Sequence, residues 1–208
     1  MGLLETLPVK FEELNNTPCS KEGNISWGSW PHYIEMLARI EFPIQSILEI
    51  GFNAGHSACL LLEAFPEANV TSVDIGNGAC APGKVLIDQW YPNRHTLVVE
   101  DSRTALPQLQ PSKFDLIFID GSHDAGIPQS DLFNCQALSH PHSVILLDDT
   151  IGNHSYNIEP SKAVNAAVKI GGFIVLESWS DNSFSFSRGE FVEHFELDDL
   201  NHHKSLSI

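Results

Sequence analysis

Two short motifs carry the densest chemistry in this 208-residue chain, Ile119-Asp120-Gly121-Ser122-His123 and Leu147-Asp148-Asp149. Each brings carboxylates to the end of an apolar run, and the first adds an imidazole three residues after its acid. Carboxylates are hard oxygen donors of the kind Mg²⁺ takes, with water and substrate oxygens completing its octahedron. The four cysteines show no paired spacing, and no histidine pair is offered for zinc. Mg²⁺ or Mn²⁺ is therefore the expected ion at Asp120, Asp148 and Asp149. Plainer readings stay open: Asp148-Asp149 could simply begin a loop, and His123 could face solvent from one.

A third stretch offers a different chemistry. Ile47-Leu48-Glu49-Ile50-Gly51-Phe52-Asn53-Ala54-Gly55 reads as a buried strand ending in a glycine turn, followed by the apolar helical run Ala58-Cys59-Leu60-Leu61-Leu62. Gly51 has no Cβ, so backbone there can enter a ligand's space, and Gly55 lets helix and strand pack closely. The G-x-G-x-x-G of dinucleotide-binding turns is absent, which argues against a nicotinamide cofactor.

Regular elements must hold these residues in place. Strands are expected at residues 47–50, 68–74, 95–99, 114–119 and 143–147. Helices are expected at residues 84–90, from Pro128 to about Leu138, and at residues 161–170 with Gly171-Gly172 as cap. Residues 173–178 and 183–187 read as a hairpin turning at Ser180-Asp181-Asn182. Residues 1–28 read as an arm or cap, 29–190 as the single domain, and 191–208 as a polar tail. A helix from Ser29 would bury Ile34, Leu37 and Ala38, with Trp27 and Trp30 at its start as packing or as pocket wall. The result is an α/β, Rossmann-like fold: a seven-stranded, mostly parallel sheet with a C-terminal antiparallel hairpin. Right-handed crossovers gather the parallel strands' C-terminal ends on one edge, and with them Glu49, Asp74, Asp101, Asp120, Asp148 and Asp149. So many carboxylates repel one another unless cations or hydrogen-bond donors meet them.

Glu-x-Gly-x-Asn-x-Gly, with its acid two residues before the first glycine, resembles motif I of the class I S-adenosylmethionine-dependent methyltransferases, E/D-x-G-x-G-x-G, with Asn53 at the middle glycine. Asn tolerates left-handed backbone, so the departure is mild. The resemblance runs over roughly residues 30–188. It implies adenosylmethionine as cofactor, with Glu49, Gly51, Phe52, Asn53 and Gly55 lining its site. Asp74 would hold the ribose, with Ile75 beside it, and Asp101 and Ser102 would sit at the adenine edge. Asp101-Ser102 also reads as a helix N-cap before Thr104-Ala105-Leu106.

The Ile-Asp-Gly-Ser-His stretch and the acidic pair resemble the metal-dependent O-methyltransferases of the catechol and macrolide-sugar types. There an acid after the fourth strand and an acidic pair after the fifth bind Mg²⁺, and the residue three beyond the first ligand accepts a proton. That residue is His123 here, with His154 and His32 as fallbacks, while His140, His142, His194, His202 and His203 read as surface. In metal-free relatives an acid at the place of Asp120 binds the methionine amine instead. The function implied is methyl transfer to a hydroxyl of a small molecule or sugar. The alternatives are a metal-independent N- or O-methyltransferase and a non-catalytic cofactor-binding protein.

Composition bears on the partner. With 27 acidic and 11 basic residues the formal charge is −16, a field that repels nucleic acid and anionic membranes and suits a small molecule or neutral sugar. A homo-oligomer is compatible with it. No apolar run approaches about 18 residues and no secretory pattern opens the chain, so a cytoplasmic protein is expected. Gly2–Thr6 fits the myristoylation pattern. Cys59 and Cys135 fall in apolar helical runs and read as buried thiols. The acceptor pocket is expected from residues 1–30, 76–90 and 150–160.

Overall fold

The computed structural model describes residues 3–17, 30–76, 78–152, 154–180 and 185–192. The expectations for Gly2, Trp27, Asp181, Asn182, His194, His202, His203 and the tail beyond residue 192 lie outside these residues.

Five parallel strands alternate with helices: β1 (Ser46–Ile50), β2 (Asn69–Asp74), β3 (His95–Val99), β4 (Phe114–Ile119) and β5 (Ser139–Asp148). β6 (Phe173–Ser180) and β7 (Ser185–Phe191) close the sheet as an antiparallel pair. The strand order is β3-β2-β1-β4-β5-β7-β6, the expected seven-stranded architecture. The order reverses direction at β1 and β4, and the crevice outside such a switch point is where open α/β sheets take ligands. β1 and β4 are almost wholly buried because both faces of the sheet are covered. One apolar layer holds Leu7, Phe11, Tyr33, Phe52, Leu60 and Phe118; the other holds Leu48, Ile117, Leu132, Cys135, Ile145 and Phe173.

Helices α3 (His56–Ala64), α4 (Cys80–Trp90), α5 (Ser102–Gln108), α6 (Ile127–Leu138) and α7 (Ile158–Lys169) are the crossovers. α4 begins earlier than expected, because Cys80 and Ala81 continue the helix into the small-residue stretch. α7 ends where Gly171 (φ +77°) and Gly172 donate N–H groups back to Val168 and Ala167. Cys59 and Cys135 are buried thiols, as expected.

Two helices differ from the sequence reading. The stretch taken as an arm contains α1 (Leu3–Asn15), whose Leu7, Phe11 and Leu14 are buried against the core at helical spacing. Pro8 lies inside this helix, where a sequence reading breaks it. In α2 (Trp30–Leu37) the buried face is Tyr33, Met36 and Leu37; Ile34 is half-buried and Ala38 is exposed just past the helix end. No helix among the described residues is long and apolar enough to cross a membrane.

Candidate active site

The glycine turn after β1 is held by backbone. Gly51 adopts φ +96°, Asn53 φ +45° and Gly55 φ +91°, so Asn53 does occupy the left-handed region that the motif's middle glycine serves. A Cβ on Gly51 would stand 1.9 Å from the Asp120 carbonyl oxygen. The ends of β1 and β4 therefore meet backbone to backbone, tied by Asp120 N–H donating to Ile50 O at 2.9 Å.

Asp74 is largely occupied in bracing this turn. One carboxylate oxygen accepts from the backbone N–H of Phe52 (2.9 Å) and of Asn53 (2.8 Å). The other accepts from Gly76 N–H (2.7 Å) and the Cys80 thiol (3.1 Å). Asp74 lies on the cavity wall at the expected place for ribose, but as a buried brace before it is a ligand group.

Glu49 is a correction. It is fully buried behind the turn and does not line the cavity; its carboxylate accepts from the hydroxyls of Ser57 and Ser72. Burial pushes its pKa up to about 7 against the pull of those two hydroxyls. Ser72 also meets His95 Nε2 at 2.8 Å, and the His95 ring stacks on Phe52 at 5.0 Å. The motif acid thus supports the turn from inside the sheet.

In front of the turn lies a cavity of about 480 Å³, walled by Gly51–Asn53, Asp74–Ile75, Glu100–Arg103, Asp120–Asp124 and Asp149. Asp101 caps α5, as expected, by accepting from Arg103 N–H at 2.9 Å, and it also stands on the cavity wall. Hydrogen bonds from Arg103 hold its pKa down at about 2. Ser102 donates to the buried Asp131 at 2.6 Å. Ile75 is 76% exposed on the rim. None of the expected acceptor regions, residues 1–30, 76–90 and 150–160, contributes to this wall among the described residues.

The acidic edge regroups the expected metal ligands. One donor atom each from Asp120, His123 and Asp149 lie within 4.8 Å of one another, with His123 Nε2 3.6 Å from Asp149 Oδ2. Asp148 is not in this group. Its side chain takes the Tyr33 hydroxyl at 2.5 Å and borders a smaller cavity behind the main one. Successive residues of a strand point to opposite sides, so Asp148 and Asp149 cannot both face forward without a local twist. Asp149 has φ +53°; its carbonyl and Oδ1 accept from Asn157 Nδ2 at 3.1 and 3.2 Å.

Burial first, then the charges of Asp148 and Asp149, drives the Asp120 pKa well above the carboxylate range. Burial and the neighbouring Asp148 push Asp149 up to about 8. Burial raises Asp148 to about 6 against the Tyr33 hydrogen bond. Burial lowers the His123 pKa against the pull of the neighbouring Asp124.

Other histidines fall elsewhere. His154 is exposed and stacks on Tyr156, which also stacks on His123. His32 stacks on Trp179, and Trp30 packs edge-on against Phe11, so neither Trp30 nor His32 reaches the cavity. His140 is half-buried on Asp115 at 3.0 Å, contrary to its surface reading, whereas His142 is exposed. The sequence reading missed three contributors. His56 lines the cavity and meets the Asn15 side-chain oxygen at 3.0 Å, Tyr33 holds Asp148, and Asn157 holds Asp149. Nothing local marks Tyr33 or Asn157 for these roles.

Residues 48–150, about half the chain, match the profile of a methyltransferase domain family. Among curated proteins none matches by sequence. Solved structures share the fold at low identity. An S-adenosylhomocysteine-bound methyltransferase of Podospora anserina is 20% identical, with a TM-score of 0.70 over 93% of this chain and 90% of that one. The O-methyltransferase TomG of Streptomyces achromogenes, involved in tomaymycin synthesis and solved with S-adenosylmethionine, is 15% identical, with a TM-score of 0.69 over 90% of each chain. An O-methyltransferase of Bacillus cereus in complex with S-adenosylhomocysteine is 16% identical, with a TM-score of 0.65 over 88% of this chain and 91% of that one. Profile, strand order and the turn facing the cavity agree: the chain is an S-adenosylmethionine-dependent methyltransferase of the class I fold.

Proposed function

We propose that this methyltransferase transfers the methyl group to a hydroxyl of a small molecule or sugar, and that it works with a divalent cation at the acidic edge. The observation that carries the reading is Asp149 Oδ2. It belongs to a residue 1% exposed, has no hydrogen-bond partner, and shares a 4.8 Å cluster with donor atoms of Asp120 and His123. An unsatisfied buried acceptor of this kind costs about 1–3 kcal/mol, more when charged, which a cation would relieve. The carboxylate donors fit Mg²⁺ or Mn²⁺. Bound there, such an ion would supply Lewis acidity, lowering the pKa of a hydroxyl it meets.

The chain's own residues do the rest. The Gly51–Gly55 turn brings backbone up to the cofactor, Asp74 keeps that turn closed, and Ile75 and Asp101 stand where adenosine would lie. Asp120, next to Gly51, lies at the junction between the cofactor half of the cavity and the acceptor half. His123 is placed either to take the acceptor's proton or to join the two carboxylates as a third ligand. Two of the structural relatives are named O-methyltransferases, which favours oxygen as the acceptor atom. The charge of −16 favours a small, uncharged acceptor over nucleic acid or an anionic membrane.

The test is release of S-adenosylhomocysteine from adenosylmethionine with a panel of catechol, vicinal-diol and sugar acceptors, before and after exhaustive EDTA treatment. Turnover should vanish on chelation and return with Mg²⁺ or Mn²⁺. Full turnover in EDTA would remove the cation from the reading. Cofactor binding without product release from any acceptor would leave a cofactor-binding protein. A metal-independent reaction, with Asp120 receiving the methionine amine, has one observation in its favour: Asp120 backbone packs directly on Gly51. In that case Asp120→Asn would abolish activity and Asp149→Asn would leave it intact.

A further inference from the structure

We infer that His123 is a ligand of the cation, not the base, and that the site takes a transition ion of the Mn²⁺ type in preference to Mg²⁺. The inference rests on the reading that a divalent cation occupies the acidic edge.

The position of the imidazole is the first argument. A base must leave its free nitrogen open to the acceptor hydroxyl, yet His123 Nε2 stands beside Asp149 Oδ2, an oxygen of a residue 1% exposed. Their 3.6 Å separation is too long for a hydrogen bond, and that oxygen has no other partner. Two donors around an ion with bonds of about 2.1 Å stand about 3 Å apart in an octahedron. The observed gap is a few tenths of an ångström wider than a shared ion would leave it.

The second argument is how Asp149 is held. Asn157 Nδ2 binds both its carbonyl and Oδ1, and the left-handed backbone at φ +53° turns the residue out of the strand. Left-handed backbone at a non-glycine residue costs of order 1 kcal/mol or more, and here it separates Asp149 from Asp148. With one oxygen gripped by Asn157, the other is left for the cluster. Groups that orient a ligand in this way are a regular part of metal sites.

The third argument is the withdrawal of Asp148. Tyr33 holds it at 2.5 Å, and it borders the rear cavity instead of the main one. The forward-facing set is therefore two carboxylates and one imidazole. Mg²⁺ takes oxygen donors almost exclusively, whereas imidazole is a regular ligand of first-row transition ions, and among these Mn²⁺ is the one that carboxylates also suit. Replacing an oxygen donor by a nitrogen moves selectivity away from Mg²⁺.

Mn²⁺ itself is the probe. Binding is measured on the purified full chain by calorimetry, and the bound ion is examined by pulsed electron paramagnetic resonance for coupling to ¹⁴N. We expect ¹⁴N coupling in the wild-type complex and Mn²⁺ affinity exceeding Mg²⁺ affinity by about tenfold or more. His123→Ala should abolish the coupling and weaken Mn²⁺ by about tenfold or more, as loss of a ligand or its support does. His123→Asp, which restores an oxygen donor, should narrow the gap between the two ions. Bound Mn²⁺ without nitrogen coupling in the wild type would overturn the ligand role while leaving the metal-dependent reading standing. No binding of either ion at millimolar concentration, with adenosylmethionine present, would overturn both. The wild-type spectrum decides the question even if a variant fails to fold.

Discussion

The two halves of the sheet edge are built on opposite terms. At β1 and β2 the polar groups are satisfied within the chain: Asp74 receives four donors, Glu49 receives two hydroxyls, and the turn is closed by backbone bonds. At β4 and β5 the acids are left short, with Asp148 Oδ2 and Asp149 Oδ2 both buried and unpartnered. The cofactor half is a finished cradle. The acceptor half is stable only at the cost of raised carboxylate pKa values, and in the proposed reading a divalent cation completes it. Pre-formed sites lose little by ordering when a ligand arrives, while unsatisfied ones gain most from the ligand itself.

Gly51 joins the halves, so its replacement should have the largest effect. Gly51→Ala places a methyl 1.9 Å from the Asp120 carbonyl at a φ of +96°, where both the steric and the conformational penalties fall on backbone. We expect cofactor binding to be lost in calorimetry and the protein to be destabilised by about 3 kcal/mol or more, with divalent-ion binding weakened alongside. An alanine variant binding adenosylmethionine normally would show that the halves are not mechanically joined.

Next in size are substitutions confined to one half. Asp149→Asn should lower metal-dependent turnover by about a hundredfold and leave adenosylmethionine affinity within about threefold. Asp74→Ala should do the reverse, weakening the cofactor by about tenfold or more as four donors lose their acceptor. If both variants lost both ligands equally, the division of the edge would fail.

How far the sequence carried this division follows from what each half is made of. The strands and the turn were legible because buried parallel strands read as continuous apolar runs and because left-handed backbone selects glycine and asparagine, as at Gly51, Asn53 and Gly55. That acids would collect on one edge followed from the topology. Which of them face forward did not, because it depends on Tyr33 and Asn157, which lie 115 residues before Asp148 and 8 after Asp149 and carry no signature of their own. The inward position of Glu49 was hidden for the same reason: Ser57 and Ser72 look like ordinary surface or strand serines until the fold brings them together. α1 was obscured by Pro8 in its middle.

The unbalanced half also makes stability depend on pH. Above about pH 7 His56 and His95, which burial lowers to about 4 from an unfolded value of about 6.5, are largely neutral in both states. The slope then belongs to Glu49, raised to about 7, Asp149, raised to about 8, and Asp120, raised well above the carboxylate range. A carboxylate whose folded pKa is raised contributes stability that is complete below its unfolded value of about 4 and is lost as pH climbs through the folded value. Metal-free protein should therefore melt progressively lower between about pH 7 and 8.5, by up to about 1.4 kcal/mol per pH unit for each proton involved. Saturating Mn²⁺ should flatten the upper part of that slope, as should Asp149→Asn, while Glu49→Gln flattens the lower part. A melting temperature that rises across this window in metal-free buffer would contradict the sign.

The smallest predicted effect isolates the cofactor half from its own stability. Ile75 is 76% exposed at the cavity rim, directly after the bracing Asp74. An apolar side chain left this open adds little to folding, and surface substitutions of this kind usually stay within about 0.5 kcal/mol. If bound adenosine covers it, the area removed from water should yield about 1 kcal/mol of a full side-chain burial of about 1.5–3 kcal/mol. Ile75→Ala should therefore weaken adenosylmethionine about fivefold, leave the melting temperature of the free protein unchanged within about 1 °C, and leave Mn²⁺ affinity alone. Unchanged cofactor affinity would move the adenosine away from Ile75, toward Glu100 and Asp101 at the neighbouring strand end. A lowered melting temperature would mean that Ile75 supports the turn instead of the ligand.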